Sequence, residues 1–327
     1  KYISFFWIIF NFGAVIGALI PLAQTVNSSS ATSVNDSTYI AFIVLMFAGA
    51  VIAMFLVNGN RVIREDGSKV ILMKQPSWSS ELMGLWETFR FEPFIILLFP
   101  MFFVSNWFYV YQQNAVNAAY HSVRTRALNS ILYWGAQIIA AAIWGYTLDI
   151  DNVRRSVRAK ITWGVLLVLT LAIWGGGYAF EKKYTRESIK AMQDAGWVGK
   201  DWSDSGYVGG MFLYIFYGFY DAAWQASVYW FMGALSNSGR RSANYVGFYK
   251  GIQSVGAAIV NNLDGRKISF RAEYISNFAL LGAALVFSAP VVFLKIQDHV
   301  SVEEDLTGTD ETIADVLPAG HPEKTAL

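Results

Sequence analysis

A single acidic side chain, Asp221, stands near the middle of a long apolar stretch that runs from Tyr207 to Ser236. A stretch of this length crosses a bilayer as a helix of about 20 residues, and a carboxylate at that depth costs at least about 2.5–3.5 kcal/mol on insertion scales. Helical spacing places Asp221 on one polar stripe with Tyr214, Tyr217 and Gln225. Such a stripe is typical of a transport path, and equally of hydrogen-bonding residues buried between helices.

Amide side chains add a second polar group. Gln112, Gln113 and Asn117 cluster at the end of the third apolar stretch, and Gln137 lies inside the fourth. Amides at such positions can hydrogen-bond a polar solute in a vestibule, or they can satisfy backbone groups where a helix ends. Together with the Asp221 stripe, they form the predicted substrate and proton path.

Lys250 is the intramembrane cation nearest to Asp221 along the chain, one apolar stretch later. Counted from the same membrane face, Asp221 lies roughly 20 Å deep and Lys250 roughly 10 Å deep, at 1.5 Å per residue. We therefore expect Lys250 to reach toward the cytoplasmic side instead of pairing with Asp221. A carboxyl group without a fixed cation would suit reversible protonation, so protons are the candidate coupling ion.

Other kinds of chemistry find little support. The histidines (His121, His299 and His321) are scattered, without metal-ligand spacing or a nucleophile beside them, and the chain has no cysteine. We therefore predict no enzyme activity, no metal and no cofactor. A net charge of +1 gives no reason to expect nucleic acid as a partner.

Composition assigns the protein to a membrane. Hydrophobic residues make up 54% of the chain and charged residues 15%, against about 25% charged in an average soluble domain. Eight apolar stretches are long enough to cross a bilayer as helices. We predict a multi-pass integral membrane protein in contact with lipid, in either the plasma membrane or an endomembrane such as the vacuole.

Orientation follows from two features. The loop after the first stretch contains two N-x-S/T triplets, at Asn27 and Asn35, which predict glycosylation on the lumenal or extracellular side. A dense basic cluster from Arg154 to Lys160 lies at the opposite end of the predicted spans, where the cytoplasm is expected. Between residues 77 and 91, apolar residues recur at helical spacing, which indicates either an amphipathic helix on the cytoplasmic interface or a partly ordered linker.

The segment GYTLDIDNVRRSVRAK, from Gly145 to Lys160, is similar to the Gly-x-x-x-Asp … Arg-Arg loop of the major facilitator superfamily. Gly145, Asp149, Arg154 and Arg155 match that motif, while the glycine usual between the aspartate and the basic pair is absent. In that superfamily the loop gates the cytoplasmic side. The resemblance therefore implies a cytoplasmic gate at these residues.

Three longer stretches resemble fungal members of the Unc-ninety-three-like family, a branch of the same superfamily. They are FEPFIILLFPMFFVSNWFYVYQQNAVNAAY, SVRTRALNSILYWGAQIIAA and YGFYDAAWQASVYWFMGALSNSGRRSANYVGFYKGIQS. The resemblance implies an all-α helical bundle whose eight spans correspond to helices five to twelve of twelve. Because the chain opens at Lys1 inside a span, we expect it to be the C-terminal part of a longer protein whose remaining N-terminal helices are partners of this part.

By the same resemblance, residues 1–57 would hold the last two helices of an N-terminal bundle. Residues 58–92 would form the cytoplasmic loop between bundles, and residues 93–295 a C-terminal six-helix bundle. Residues 296–327 read as an acidic, disordered cytoplasmic tail.

Two functions remain open at this point. One is a secondary carrier for an unknown small solute, proton-coupled through Asp221. The other is a non-transporting membrane adaptor, as the ion-channel regulatory and receptor-trafficking proteins among the family's animal members suggest. Fold resemblance alone does not choose between them.

Overall fold

The computed structural model describes residues 2–28, 33–57, 78–150, 152–236 and 239–299. Across these ranges the chain is helical, with no strand and one isolated backbone bridge between His121 and Lys200. The predicted all-α fold is confirmed. Most of the predicted inter-bundle loop and nearly all of the predicted acidic tail lie outside the described residues.

Ten helical segments follow one another along the chain in the described ranges. They are α1 (Tyr2–Thr25), α2 (Asp36–Ala53), α3 (Trp78–Phe91), α4 (Pro93–Ala118), α5 (Val123–Leu148), α6 (Arg155–Glu181), α7 (Arg186–Asp194), α8 (Tyr207–Leu235), α9 (Gly239–Gly265) and α10 (Phe270–Lys295). We call the end of the bundle that holds residues 26–28 and 33–35 the outer end, and the end that holds residues 152–154 the inner end.

Six of these helices are long and apolar enough to cross a membrane: α1, α2, α4, α5, α6 and α10. The chain is therefore a multi-pass integral membrane protein, as predicted. Helices α8 and α9 have 29 and 27 residues, which gives each a length of about 40 Å at 1.5 Å per residue. Both are long enough to cross a membrane, but neither is apolar enough to be counted with the other six helices. That they cross the membrane stays a prediction.

Helix α8 lies at the centre of the bundle. Its residues from Tyr220 to Val228 are buried without interruption, so this part of the helix is covered on every side. Helix α5 packs between α8 and α1. A side-chain carbon added at Gly218 would lie 2.3 Å from the carbonyl oxygen of Tyr133, so the backbones of α8 and α5 are in direct contact.

Helix α4 is interrupted in its middle. Its first half is a 3-10 turn followed by a short α-helix, Phe99–Val104, and its second half begins again at Trp107 and winds as a π-helix over Tyr111–Ala118. Ser105 and Asn106 form the break. The sequence predicts one continuous span here, and the break is a finding of the structure.

The amphipathic segment before α4 is a helix, α3, which packs on α9 at the inner end. Asn244 donates to the Thr88 hydroxyl at 2.8 Å, and Arg241 forms a 2.7 Å ion pair with Glu92. Trp78 and other large apolar side chains on the opposite face of α3 are exposed. The position of this face at the membrane interface stays a prediction.

Candidate functional site

Asp221 is the centre of a buried hydrogen-bond network. Its Oδ2 accepts from the hydroxyl of Tyr109, from Gln137 Nε2 at 2.6 Å and from the Tyr133 hydroxyl at 3.1 Å. Its Oδ1 accepts from Gln225 Nε2 at 3.4 Å. Asp221 has no exposed surface. All of these donors are neutral, and none of the ion pairs within the described ranges includes Asp221.

The network continues from Gln225 toward the break in α4 and toward α9. Gln225 Nε2 donates to the carbonyl oxygen of Ser105 at 2.8 Å, and its Oε1 accepts from the Tyr249 hydroxyl and from Gln253 Nε2. Lys250 donates to Gln253 Oε1 at 2.9 Å. Two glutamines therefore stand between Lys250 and Asp221, and Lys250 itself is exposed.

On the other side the network reaches α1 and the buried part of α4. Gln137 Oε1 accepts from the indole of Trp7 at 3.2 Å, and the Tyr133 hydroxyl also contacts Gln112 Oε1 at 2.8 Å. Because Gln137 bonds both Asp221 and Trp7, one side chain joins the central carboxyl group to the contact between α1 and α5.

An open cavity of about 270 Å³ lies beside this network, between the second half of α4 and the outer half of α9. Its lining residues are Asn106, Tyr109, Val110, Gln113 and Asn114 of α4, with Ala257 and Asn261 of α9. Tyr109 belongs to both features, since its hydroxyl bonds Asp221 and its side chain lines the cavity. Asp221 is therefore one hydrogen bond away from the cavity wall.

The residues of the predicted stripe on α8 do not all face the same neighbours in the structure. Tyr214 donates to Gln113 Oε1 at 2.9 Å, beside the cavity. Tyr217 turns away, packs on Trp174 with ring centres 4.9 Å apart, and points its hydroxyl at Gly177 of α6. Tyr217 precedes Asp221 by four residues and Gln225 follows it by four, so at about 100° per residue the two are turned roughly 40° to opposite sides of Asp221 and face different neighbours. Tyr217 is therefore not part of the network.

Asn117 also lies apart from Asp221, near the outer end. Its Oδ1 accepts from Asn129 Nδ2 at 3.0 Å, and Asn129 in turn accepts from the Tyr207 hydroxyl at 2.6 Å. Asn117 Nδ2 donates to the carbonyl oxygen of Arg126 at 3.3 Å. These bonds connect α4, α5 and α8 at the outer end of the bundle. Asn117 therefore has the structural role that the sequence allowed as an alternative to solute binding.

The four residues of the predicted gate all lie at the inner end. Gly145 meets Ser4 of α1 so closely that an added side-chain carbon would lie 2.3 Å from the serine hydroxyl. Gly145 and Asp149 help to line a second cavity, of about 340 Å³. Arg154 precedes α6, and Arg155 donates to the carbonyl oxygen of Ala234 at 3.4 Å. Their gating role stays a prediction.

His121 lies in the turn between α4 and α5 at the outer end of the bundle. It is buried, and its Nδ1 lies 2.9 Å from the carbonyl oxygen of Val116. Burial lowers the pKa of His121 to about 4, so the ring is neutral near pH 7. Within the described ranges, no three His, Cys, Asp or Glu side chains come together as a metal site.

Sequence reasoning missed several members of the network: Trp7, Ser105, Tyr109, Tyr133, Tyr249 and Gln253. A usable signal existed for some of them. Tyr133 precedes Gln137 by four residues and Tyr109 precedes Gln113 by four, so each tyrosine shares a helix face with an amide that the sequence did single out. Trp7 and Ser105 carry no comparable signal.

Comparison with known proteins identifies the family. A UNC93-like protein of Schizosaccharomyces pombe is 47% identical over 297 residues, which cover 91% of this chain and 58% of that protein. Two UNC93-like proteins of Arabidopsis thaliana are each 36% identical over 312 residues, covering 95% of this chain and 66% of each relative. The chain belongs to the UNC93-like family.

This UNC93-like chain thus spans 58% to 66% of the length of these curated relatives. No protein-family profile and no solved structure matches it. The predicted membership in the UNC93-like family is confirmed.

Proposed function

We propose that the UNC93-like protein containing this chain is a secondary carrier that couples movement of a small polar solute to protonation of Asp221. The observation that carries this proposal is the setting of Asp221: a fully buried carboxyl group, held by neutral donors alone, one bond from an amide-lined cavity. Intramembrane carboxyl groups are costly, and in pumps and transporters they form proton relays.

Tyr109 supplies a physical link between the proton and the solute. A tyrosine hydroxyl has one hydrogen to donate and can also accept. While Asp221 is charged, Tyr109 donates to it. Once Asp221 is protonated, its own O–H donates to the tyrosine oxygen, and the Tyr109 hydrogen becomes available to an acceptor in the cavity. Proton binding and solute binding then favour each other.

The interrupted helix α4 supports the same proposal. Binding sites in secondary transporters are typically formed by discontinuous helices near the membrane midplane, with irregular backbone beside a cavity. Asn106 is at the break and lines the cavity, while the carbonyl oxygen of Ser105 is satisfied by Gln225 of the network. The break therefore joins the cavity to the buried carboxyl group.

The test uses the complete protein in proteoliposomes. We expect an imposed proton gradient to drive uptake of a solute from a mixture of polar metabolites, detected by mass spectrometry. Asp221→Asn is expected to abolish gradient-driven uptake while exchange of the same solute without a gradient persists. Asp194→Asn, which removes an exposed carboxylate outside the spans, serves as the matched control. Gradient-driven uptake that survives Asp221→Asn would refute the coupling role.

A second function, that of a membrane adaptor or regulatory protein, is favoured by a different observation. Tyr214, Tyr217, Asp221 and Gln225 are all essentially buried, so the polar stripe packs against neighbouring helices instead of lining an open path. Under this alternative, Asp221 holds helices together. Absence of any uptake, combined with a large loss of stability in Asp221→Asn, would favour the adaptor.

A further inference from the structure

The cavity between α4 and α9 is lined by uncharged polar groups. Four of its seven lining residues are amides, Asn106, Gln113, Asn114 and Asn261, and Tyr109 adds a hydroxyl. The α4 members, at positions 106, 109, 110, 113 and 114, all border the cavity along the second half of α4. The cavity wall is therefore a ready set of hydrogen-bond donors and acceptors without a formal charge.

Much of this hydrogen-bonding capacity is unused within the protein. Gln113 accepts from Tyr214 through its oxygen, and Asn114 donates to Asp264 through its nitrogen. Asn261 donates to a carbonyl oxygen of its own helix. Across the described part of the chain, no side-chain hydrogen bond uses the nitrogen of Gln113, the oxygens of Asn114 and Asn261, or either end of Asn106.

The charges around the cavity are already engaged or lie at a distance. Asp264, which Asn114 contacts, forms an ion pair with Arg186, and Asp221 is reached through the Tyr109 hydroxyl. Lys250 is eleven residues before Asn261 on α9, about 16 Å along the helix axis. A charged solute would lose hydration on entering the cavity without meeting a free opposite charge on its wall, which is unfavourable.

We infer that this cavity binds an uncharged solute that carries several hydroxyl or amide groups. The inference rests on the proposed carrier function and names the substrate class of that same site. Each free amide group can pair with a hydroxyl of the solute, and Tyr109 can donate to one of its oxygens when Asp221 is protonated. A neutral solute also leaves the proton as the one charge that moves.

The test compares three probes with one polyhydroxylated carbon chain: sorbitol, which is neutral, gluconate, which is an anion, and glucamine, which is a cation. Binding to the complete protein is measured by calorimetry without any gradient. We expect sorbitol to bind at least about tenfold more tightly than either charged probe, a difference of about 1.4 kcal/mol.

A charge placed on the wall should reverse this preference. Asn261→Asp changes the cavity lining with almost no change in shape, so we expect it to weaken sorbitol binding and to strengthen glucamine binding about tenfold. Asn262→Asp adds the same charge to the next residue of α9, which is exposed and outside the lining, and should change neither.

Three results would overturn the inference: equal or tighter binding of gluconate or glucamine to the wild type, no binding of sorbitol, or an unaltered preference in Asn261→Asp.

The carrier proposal is tested by separate results. Sorbitol binding without gradient-driven uptake of any solute would remove the carrier and leave the neutral site, whereas proton-driven uptake of a charged solute would remove the neutral site and leave the carrier.

Discussion

Asp201 fixes the loop between α7 and α8 to the start of α5 as a charged group. Its two oxygens accept from Arg124, each bond at 2.7 Å, and the hydroxyls of Ser122 and Ser203 add bonds at 2.9 and 2.7 Å. The Arg124 guanidinium holds the pKa of Asp201 well below its usual range. A carboxyl group whose pKa is lower in the folded chain stabilises the fold above its unfolded pKa, and this contribution is lost as the pH falls through the folded pKa.

Replacing Asp201 by Asn should therefore destabilise the protein over a wide pH range. We expect Asp201→Asn to lower the free energy of unfolding by about 1.5–3 kcal/mol, the range for hydrogen bonds to charged groups. The loss should be equal at pH 7 and pH 5, and it should shrink below about pH 4, because the unfolded pKa of Asp is about 3.9. Thermal unfolding in detergent, followed by tryptophan fluorescence, measures it. Asp194→Asn should unfold like the wild type, and equal stability of Asp201→Asn at pH 7 would contradict the prediction.

At the scale of residues, the sequence could identify conspicuous members of the network and not their partners. Asp221 and Gln137 stand out because charged and amide side chains are rare inside apolar stretches. Tyr109 and Tyr133 each share a helix face with a notable amide, but nothing in the sequence says which of the 17 tyrosines bond Asp221. Their contacts with Asp221 join positions 112 and 88 residues apart, which no local pattern encodes.

At the scale of elements, the length of the apolar stretches predicted the apolar helices and did not indicate the break in α4. No glycine or proline marks Ser105 or Asn106. The break is satisfied by tertiary contacts: the Ser105 hydroxyl donates to the carbonyl oxygen of Met101 at 2.7 Å, and Gln225 of α8 donates to the carbonyl oxygen of Ser105. A break held from a helix more than a hundred residues away cannot be read from the local sequence.

The backbone contact between α8 and α5 can be tested by adding a methyl group at Gly218. In Gly218→Ala the new methyl group would meet the Tyr133 carbonyl oxygen at 2.3 Å, and backbone cannot move aside as a flexible side chain can. We expect a loss of about 1–3 kcal/mol, as for other overpacked cores. Thermal unfolding in detergent is the measurement.

Gly233 provides the matched control on the same helix. A side-chain carbon at Gly233 meets nothing within 4 Å, so Gly233→Ala should be neutral or should stabilise by up to about 1 kcal/mol through helix propensity. Equal behaviour of the two variants would mean that α5 and α8 do not touch as described. Because Gly218 precedes Asp221 by three residues, Gly218→Ala also tests whether the network depends on this contact.

At the scale of the whole molecule, composition was sufficient for the class and insufficient for the arrangement. A chain with 54% hydrophobic and 15% charged residues has to place most of its helices in lipid. Helices α8 and α9 show the limit of that argument. The centre of α8 is covered by protein on every side, so it carries Asp221 and Gln225 without exposing them. Within the described residues, α8 is not one of the six helices that are long and apolar enough to cross a membrane.

Orientation in the membrane is the remaining property of the whole molecule that the sequence predicts. Asn27 and Asn35 are exposed at the outer end, where Arg124 of α5 donates to the carbonyl oxygen of Val26. Arg154 lies at the opposite, inner end, just before α6. If the basic cluster is cytoplasmic, the two asparagines face the lumen or the cell exterior, where glycosylation occurs.

We expect the protein from a eukaryotic membrane to shift in gel mobility after N-glycosidase treatment, and the double variant Asn27→Gln, Asn35→Gln to lose that shift. Arg154→Ser supplies an internal comparison, because it creates an acceptor triplet at Asn152 of the inner end. That asparagine should stay unmodified, since a cytoplasmic loop never meets the glycosylation machinery. Glycan on Asn152, with none on Asn27 or Asn35, would invert the molecule in the membrane and place Arg154 on the lumenal or extracellular side.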